Sequence, residues 1–151
     1  MEIGEYNEAD AAEIVTWPSS EAEARAWCGE PAPDAEAMAR WHRDPDVRGY
    51  VLRSAADLIA YGEVWADDNE VELGRLIVRP ELRGRGVGRQ LIEKLMRVAP
   101  PLQAFVRVVP ENAPAIRCYE AAGFERVAAD QEAAYNQAQP RAYVWMRRRA
   151  P

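Results

Sequence analysis

Val78-Arg79-Pro80-Glu81-Leu82-Arg83-Gly84-Arg85-Gly86-Val87-Gly88-Arg89 is the stretch on which the rest of the chain turns. Before it, Val71 to Val78 has the apolar density of a strand. After it, Gly86 to Val98 carries Val87, Leu91, Leu95 and Val98 at helical spacing. The glycines therefore sit where a strand hands over to a helix. At such a junction several backbone N–H groups lack helical partners and point outward. With the positive end of the helix macrodipole they form an anion site, and glycine lets the backbone approach an oxyanion without Cβ obstruction. Between Arg79 and Arg97 there are six basic residues and two acidic ones, a local +4 in a chain of net charge −6. The spacing of Gly84, Gly86 and Gly88 is neither a P-loop, which ends Gly-Lys-Ser/Thr, nor the Gly-x-Gly-x-x-Gly of a dinucleotide turn.

Upstream, Ile3 and Tyr6 suggest a short first strand and Ala9 to Val15 a helix stopped by Pro18. Ser19/Ser20 cap a second helix from Glu21 to Cys28 that Gly29 ends, and Asp34 caps a third, with Met38 and Trp41 one turn apart. Tyr50 to Leu52 and Leu58 to Trp65 read as strands around a turn at Ala55 to Asp57, and Asp67-Asp68-Asn69 is a further turn. In Val71 to Val78 the apolar residues change phase, from Val71 and Leu73 to Leu76 and Val78, as a β-bulge near Gly74 or Arg75 would produce. Downstream, Pro100-Pro101 breaks the helix. Leu102 to Val109 is a strand, Asn112 to Ala122 a helix and Phe124 to Ala128 a strand. A polar loop then leads to a last strand at Ala142 to Met146. Strand and helix alternate around one central sheet, a mixed α/β class.

The 151 residues suit one domain, with no linker or repeat to divide them. No apolar run approaches the roughly 18 residues of a membrane span, and the start Met1-Glu2-Ile3-Gly4-Glu5 lacks the marks of a signal peptide; the expectation is a cytoplasmic protein with no membrane partner. Net negative charge argues against nucleic acid as a partner. Cys28 and Cys118 are read as reduced thiols, and the single histidine, His42, as a helix-face residue without a chemical role; no metal site is expected. Arg147-Arg148-Arg149 reads as a solvated basic tail.

Arg83-Gly84-Arg85-Gly86-Val87-Gly88 resembles the Arg/Gln-x-x-Gly-x-Gly/Ala signature of the GCN5-related N-acetyltransferase (GNAT) superfamily. Asn112 to Phe124 resembles the Asn-x-x-Ala-x-x-x-Tyr-x-x-x-Gly-Phe segment of the same superfamily, in the right order and at the right separation. The resemblance implies an α+β fold with a mixed, mostly antiparallel sheet of about six to seven strands flanked by helices. It implies acetyl-CoA as cosubstrate and an enzyme that acetylates amines. Its division of the domain places an acceptor-side helical region at 1–45, the pyrophosphate-loop motif at 69–99 and a second CoA motif at 102–128.

By the same resemblance, the N–H groups of Arg83, Gly84, Arg85, Gly86, Val87, Gly88 and Arg89 hold the CoA pyrophosphate, and the backbone of Ile77 and Val78 binds pantetheine. Asn112 caps its helix and contacts pantetheine. Glu72 is the candidate general base, because the acceptor amine must lose a proton before its lone pair attacks; a solvated strand face is the alternative. Tyr119 is the candidate general acid at the leaving sulfur and a CoA contact, with core packing as its alternative. Gly123 is expected as a helix C-cap. The acceptor is a small-molecule amine or a protein amino group. Trp17, Trp27, Trp41, Tyr135 and Tyr143 are candidates to line its pocket. A homodimer fits this picture. The competing function is a non-catalytic acetyl-CoA sensor.

Overall fold

The computed structural model describes residues 1–151. Seven strands, β1 Glu2–Glu5, β2 Val47–Ser54, β3 Asp57–Ala66, β4 Glu70–Val78, β5 Gln103–Val108, β6 Glu125–Arg126 and β7 Val144–Arg148, form one sheet in the order β1-β2-β3-β4-β5-β7-β6. Every neighbouring pair is antiparallel except β4 and β5. That parallel pair needs a crossover, which is α4, Val87–Val98. The remaining helices are α1 Ala11–Ile14, α2 Glu21–Cys28, α3 Ala35–Trp41, α5 Ala113–Ala121 and α6 Ala129–Asn136. The mixed, mostly antiparallel sheet flanked by helices is the fold class expected.

Local chemistry sets the boundaries. Ser20 and Asp34 accept from the N–H groups of Glu23 and Ala37, closing the first turns of α2 and α3. Gly29 ends α2 in the left-handed region, and Gly123 follows α5 in the same conformation. Asp67 Oδ1 accepts from the N–H groups of Asn69 and Glu70 to make the turn into β4.

One sheet face is covered by α4 and α5. Val87, Leu91, Ile92 and Leu95 pack there with Leu52, Val64, Leu73, Val106, Tyr119 and Phe124 in the main core. Burying one such aliphatic side chain contributes about 1.5–3 kcal/mol, so Leu91→Ala alone costs about 2–5 kcal/mol. On the other face α1 and α3 bring Ile14, Trp17, Met38 and Trp41 onto Val51, Leu58, Tyr61 and Ile77. Beyond β5 a small cluster of Phe105, Val127 and Trp145 takes Tyr135 and Tyr143 against it.

The register of β3 and β4 slips by one residue between the pairs Glu63–Gly74 and Tyr61–Ile77, and Arg75 has φ +48°. This is the bulge that the phase change in β4 implies. On the opposite edge β4 pairs with β5 only from Glu70–Gln103 to Glu72–Phe105. From Leu73 onward the two strands part.

Four expectations need correction. Ala9 to Val15 is a 3-10 turn at Glu8–Asp10 followed by the single helical turn α1. The polar loop after β6 holds α6; no side chain caps it, and it is fixed through Asn136, whose Oδ1 accepts from Trp145 Nε1 and Tyr143 N–H and whose amide donates to the Tyr143 carbonyl. In α4, Val98 is 40% exposed while Ile92 is buried: Val98 still lies on the side of Val87 but is the last residue of the helix, and Ile92 widens the buried stripe. Arg147 and Arg148 belong to β7 rather than to a tail, and Arg148 reaches Glu93 of α4 at 3.5 Å.

Candidate active site

The loop after β4 passes through a 3-10 turn at Pro80–Leu82 and then turns left-handed at Gly84 (φ +74°) and Gly86 (φ +80°). A Cβ at either glycine would meet nothing within 4 Å. Their requirement is therefore conformational, and the space above them is open. The first helical bond of α4 runs from Gln90 N–H to the Gly86 carbonyl. The six N–H groups from Gly84 to Arg89 find no acceptor within the chain. With the helix dipole behind them, they make an anion nest suited to a diphosphate. Arg85 and Arg89 are exposed beside it.

Arg83 has a different place. Its guanidinium donates to the Val78 and Trp17 carbonyls at 3.0 and 3.1 Å and pairs with Glu23 at 2.6 Å, while its N–H goes to Pro80. It ties the loop to the N-terminal helices. Gly88 differs as well: a Cβ there would lie 3.2 Å from Cys118 Sγ, so it seats α4 against α5.

Beyond Glu72–Phe105 no ladder pair joins β4 to β5, so at Ile77 and Val78 β4 has no strand partner on that edge. Asn112 caps α5 through Oδ1, which accepts from Ala115 N–H at 3.2 Å, leaving its amide nitrogen uncommitted. The Tyr119 ring is buried edge-on against Phe124, with centroids 5.7 Å apart. Its hydroxyl bonds to nothing in the chain and is not sealed from solvent. Burial, then Cys118 and Glu72, push that hydroxyl well above the ordinary tyrosine range. Cys118 and Cys28 are both free, and burial raises both thiols, the reverse of an activated nucleophile.

The opposite face of the sheet carries the side-chain chemistry. Glu72 stands where β4 and β5 part, and Arg107 of β5 holds it bidentately, Nε to Oε2 at 2.6 Å and a terminal nitrogen to Oε1 at 3.1 Å. Gln139 takes a third Arg107 donor at 2.6 Å. Burial raises the Glu72 carboxyl above its usual range, Arg107 opposes this, and Glu70 adds to it. Glu72 is thus a half-enclosed, arginine-paired carboxylate.

A second pair lies alongside. Glu63 is fully buried, and one Arg75 nitrogen sits 2.8 and 2.9 Å from its two oxygens. The Arg75 guanidinium lies 4.3 Å from the Trp41 ring and 5.2 Å from Trp65. Arg107 lies 5.5 Å from Trp65 and 5.1 Å from Trp145. Trp41, Arg75, Trp65, Arg107 and Trp145 thus alternate ring and guanidinium across the face. Gly74 makes room for this, since a Cβ there would lie 2.3 Å from Trp65. Trp27 donates its indole N–H to the Arg75 carbonyl at 2.7 Å, pinning the bulge. His42 caps α3, stacks on Tyr6 and bonds through Nε2 to Tyr61 Oη at 2.9 Å, a structural place at the helix end.

Of the aromatics expected near an acceptor, Trp27 and Trp41 flank Arg75, Tyr143 lies 5.9 Å from Arg107, and Tyr135 packs on Trp145 and Phe105. Trp17 is core, contributing only its carbonyl to Arg83. Sequence reasoning missed Glu63, Arg75, Trp65 and Arg107. The signal was there for two of them, as single charges inside apolar strands: Glu63 in Asp57–Ala66 and Arg107 in Gln103–Val108. No three His, Cys, Asp or Glu side chains converge as metal ligands would, and no helix is long and apolar enough to cross a membrane.

A nest of free N–H groups at a helix start, beside two parting strands, defines the acetyltransferase class of fold. The acetyltransferase (GNAT) family matches residues 10–124, and the chain belongs to that family. With this come N-acetyltransferase activity and acetyl-CoA as donor. The N-alpha-acetyltransferase RimI of Mycobacterium tuberculosis is 28% identical over 129 residues, 83% of this chain and 78% of RimI. A 58-residue segment is 40% identical to an uncharacterized Mycobacterium leprae protein, spanning 38% of this chain but only 16% of that protein. Among solved structures, Vibrio cholerae spermidine N-acetyltransferase with CoA and spermine superposes with TM-score 0.74 at 19% identity, over 97% of this chain and 92% of that one. The aminoglycoside acetyltransferase AAC(6')-Ib with ribostamycin and CoA gives 0.76 at 21%, with the same coverage.

Proposed function

We propose that the chain moves an acetyl group from acetyl-CoA directly to a primary amine in a ternary complex, in the cytoplasm. The observation that carries this is the pairing of the Gly84–Arg89 nest with the parting of β4 and β5, at whose head Glu72 stands. The nest takes the pyrophosphate, the Ile77–Val78 backbone and Asn112 take pantetheine, and Arg83 positions the loop. The regions 69–99 and 102–128 serve CoA, and 1–45 serves the acceptor.

Glu72 removes a proton from the acceptor ammonium, and the freed lone pair attacks the thioester carbonyl. The N–C bond forms and the C–S bond breaks. Of the two protons the ammonium sheds, one leaves through Glu72 to water and the other ends on the sulfur. A tyrosine hydroxyl held so far above its ordinary range stays protonated, so Tyr119 serves as a hydrogen-bond donor to the sulfur as charge develops there. It need not surrender its proton outright.

RimI, the spermidine enzyme and the aminoglycoside enzyme have acceptors of different size, and by analogy a small amine or a protein amino group is the acceptor here. Incubation with acetyl-CoA and a panel of amines, read by free thiol, tests the reading. Amine-dependent thiol release is expected. Tight CoA binding with no turnover on any amine would point instead to a sensor.

A further inference from the structure

The Glu72–Arg107 pair has properties that bear on which amine is accepted, resting on the ternary-complex reading above. Its side chains are 18% and 27% exposed, so both are partly open to solvent. Arg107 carries five N–H donors, of which Glu72 occupies two and Gln139 one. Two donors remain. Each Glu72 oxygen has accepted one bond, so lone pairs remain on both. The neighbouring carboxylate, Glu63, is fully buried and already holds Arg75.

An acceptor approaching this pair meets charges that are already matched. A polycation would find in Glu72 a carboxylate whose charge Arg107 cancels, and Glu63 is out of reach. It would bring several ammonium groups to a partly desolvated pair where the further carboxylate felt by Glu72 is the exposed Glu70, which is costly. A neutral or singly cationic amine would satisfy Glu72 but leave the free Arg107 donors unpaired. A zwitterion lying antiparallel to the pair satisfies both sides: its ammonium meets Glu72, its carboxylate meets the free guanidinium edge, and four charges alternate in sign. Around this array stand Trp65, Tyr143 and Trp145, all within 5.9 Å of the guanidinium. Trp145 itself is buried, so Trp65 and Tyr143, both partly exposed, offer the wall for an apolar or aromatic side chain.

We propose that the acceptor is an amino-acid-type zwitterion, a primary amine with a carboxylate a few atoms away and an apolar or aromatic side chain. Its carboxylate binds Arg107 while Glu72 takes the proton from its amine. The molecules bound in the superposing enzymes, spermine and an aminoglycoside, are polycations and thus of a different charge type.

The test compares matched acceptors on the wild-type protein: tryptophan and phenylalanine, their decarboxylated amines tryptamine and phenethylamine, and spermine. A kcat/KM at least about tenfold higher for each amino acid than for its amine is expected, a factor corresponding to one charge-assisted bond of about 1.4 kcal/mol. Arg107→Gln should bring that ratio toward one, mainly by raising KM for the amino acid, with its melting temperature recorded to separate misfolding. Equal or better turnover of the decarboxylated amines or of spermine overturns the zwitterion proposal and leaves the acetyltransferase reading intact. Absence of thiol release with every amine overturns both. The wild-type comparison decides the matter even if the variant does not fold.

Discussion

The two faces of the proposed site, one assigned to CoA and one to the acceptor, are built by opposite means. The CoA side is backbone: six consecutive N–H groups from Gly84 to Arg89, two left-handed glycines with open space above them, and a strand edge left free where β4 and β5 part. The acceptor side is side chain: Glu63, Trp65, Glu72, Arg75 and Arg107, with aromatics from α2, α3 and β7, each pinned by partners far away in sequence. A backbone site tolerates change wherever glycine geometry survives. A side-chain site ties recognition to the stability of its ion pairs, because each charge there depends on a partner.

The sharpest break of the acceptor side is Glu72→Gln. Loss of the base lowers turnover at neutral pH by about a thousandfold, within the usual contribution of general-base catalysis. The burial-raised carboxyl gives wild-type activity an ascending limb that begins above the ordinary glutamate range. The deficit of the variant should shrink at high pH, where the amine deprotonates unaided. A pH–rate profile with the wild-type shape would remove Glu72 from this role.

Glu63→Ala tests whether the same face also carries stability. It leaves the Arg75 guanidinium without its carboxylate, and breaking a buried pair from one side costs about 3–5 kcal/mol. Urea unfolding should show a loss of that size. On the CoA side, Gly86→Val should cost affinity with little loss of stability: at φ +80° its branched Cβ strains the loop by about 1–2 kcal/mol and projects into the open space above the nest. CoA binding should weaken about a hundredfold, as when one or two charge-assisted bonds are lost. Calorimetry showing unchanged affinity would exclude the nest as the pyrophosphate site.

The same division explains what could be read from the chain alone. Val78–Arg89 and Asn112–Phe124 are contiguous, and their geometry follows from glycine, caps and helix starts, so a linear pattern carries it. The bulge was legible because apolar alternation slips phase around Gly74 and Arg75. Arg107 lies 35 positions from Glu72 and Trp27 lies 48 from Arg75; nothing in a window of sequence links them. Even Arg83 was misleading in this respect, since its side chain serves Trp17 and Glu23 rather than open space.

Arg83 joins the two regions, and Arg83→Met should weaken both by a moderate amount. Glu23 and the Trp17 carbonyl lose their partner, and the loop loses its bond to Val78. The pair is about one-third exposed, so solvent screening keeps its share small. A fall of about 1 kcal/mol in stability, with a several-fold rise in the CoA dissociation constant, is expected from the lost bonds. If CoA affinity falls while stability stays unchanged, Arg83 touches the ligand and is not the tie between the regions.

The smallest effect separates two titratable groups, His42 and Glu63, by sign. Burial, with Arg75 adding to it and Glu8 opposing, lowers His42 below its ordinary value of about 6.5. Between that lowered value and 6.5 the unfolded chain binds more protons than the folded one, so stability rises with pH through this window and falls on acidification. Glu63 runs the other way. Its carboxyl is raised, chiefly by burial and against the pull of Arg75, so its contribution is complete below the ordinary glutamate range and is lost as pH rises through the raised value. Measured on the wild type alone, the two trends offset each other. His42→Gln keeps a polar group facing Tyr61 Oη and removes one of them. The difference in urea midpoint between wild type and variant should therefore narrow from pH 7.5 to pH 5. A difference that stays constant across that range would mean that the Tyr6–His42–Tyr61 contact is packing alone, without a proton at stake.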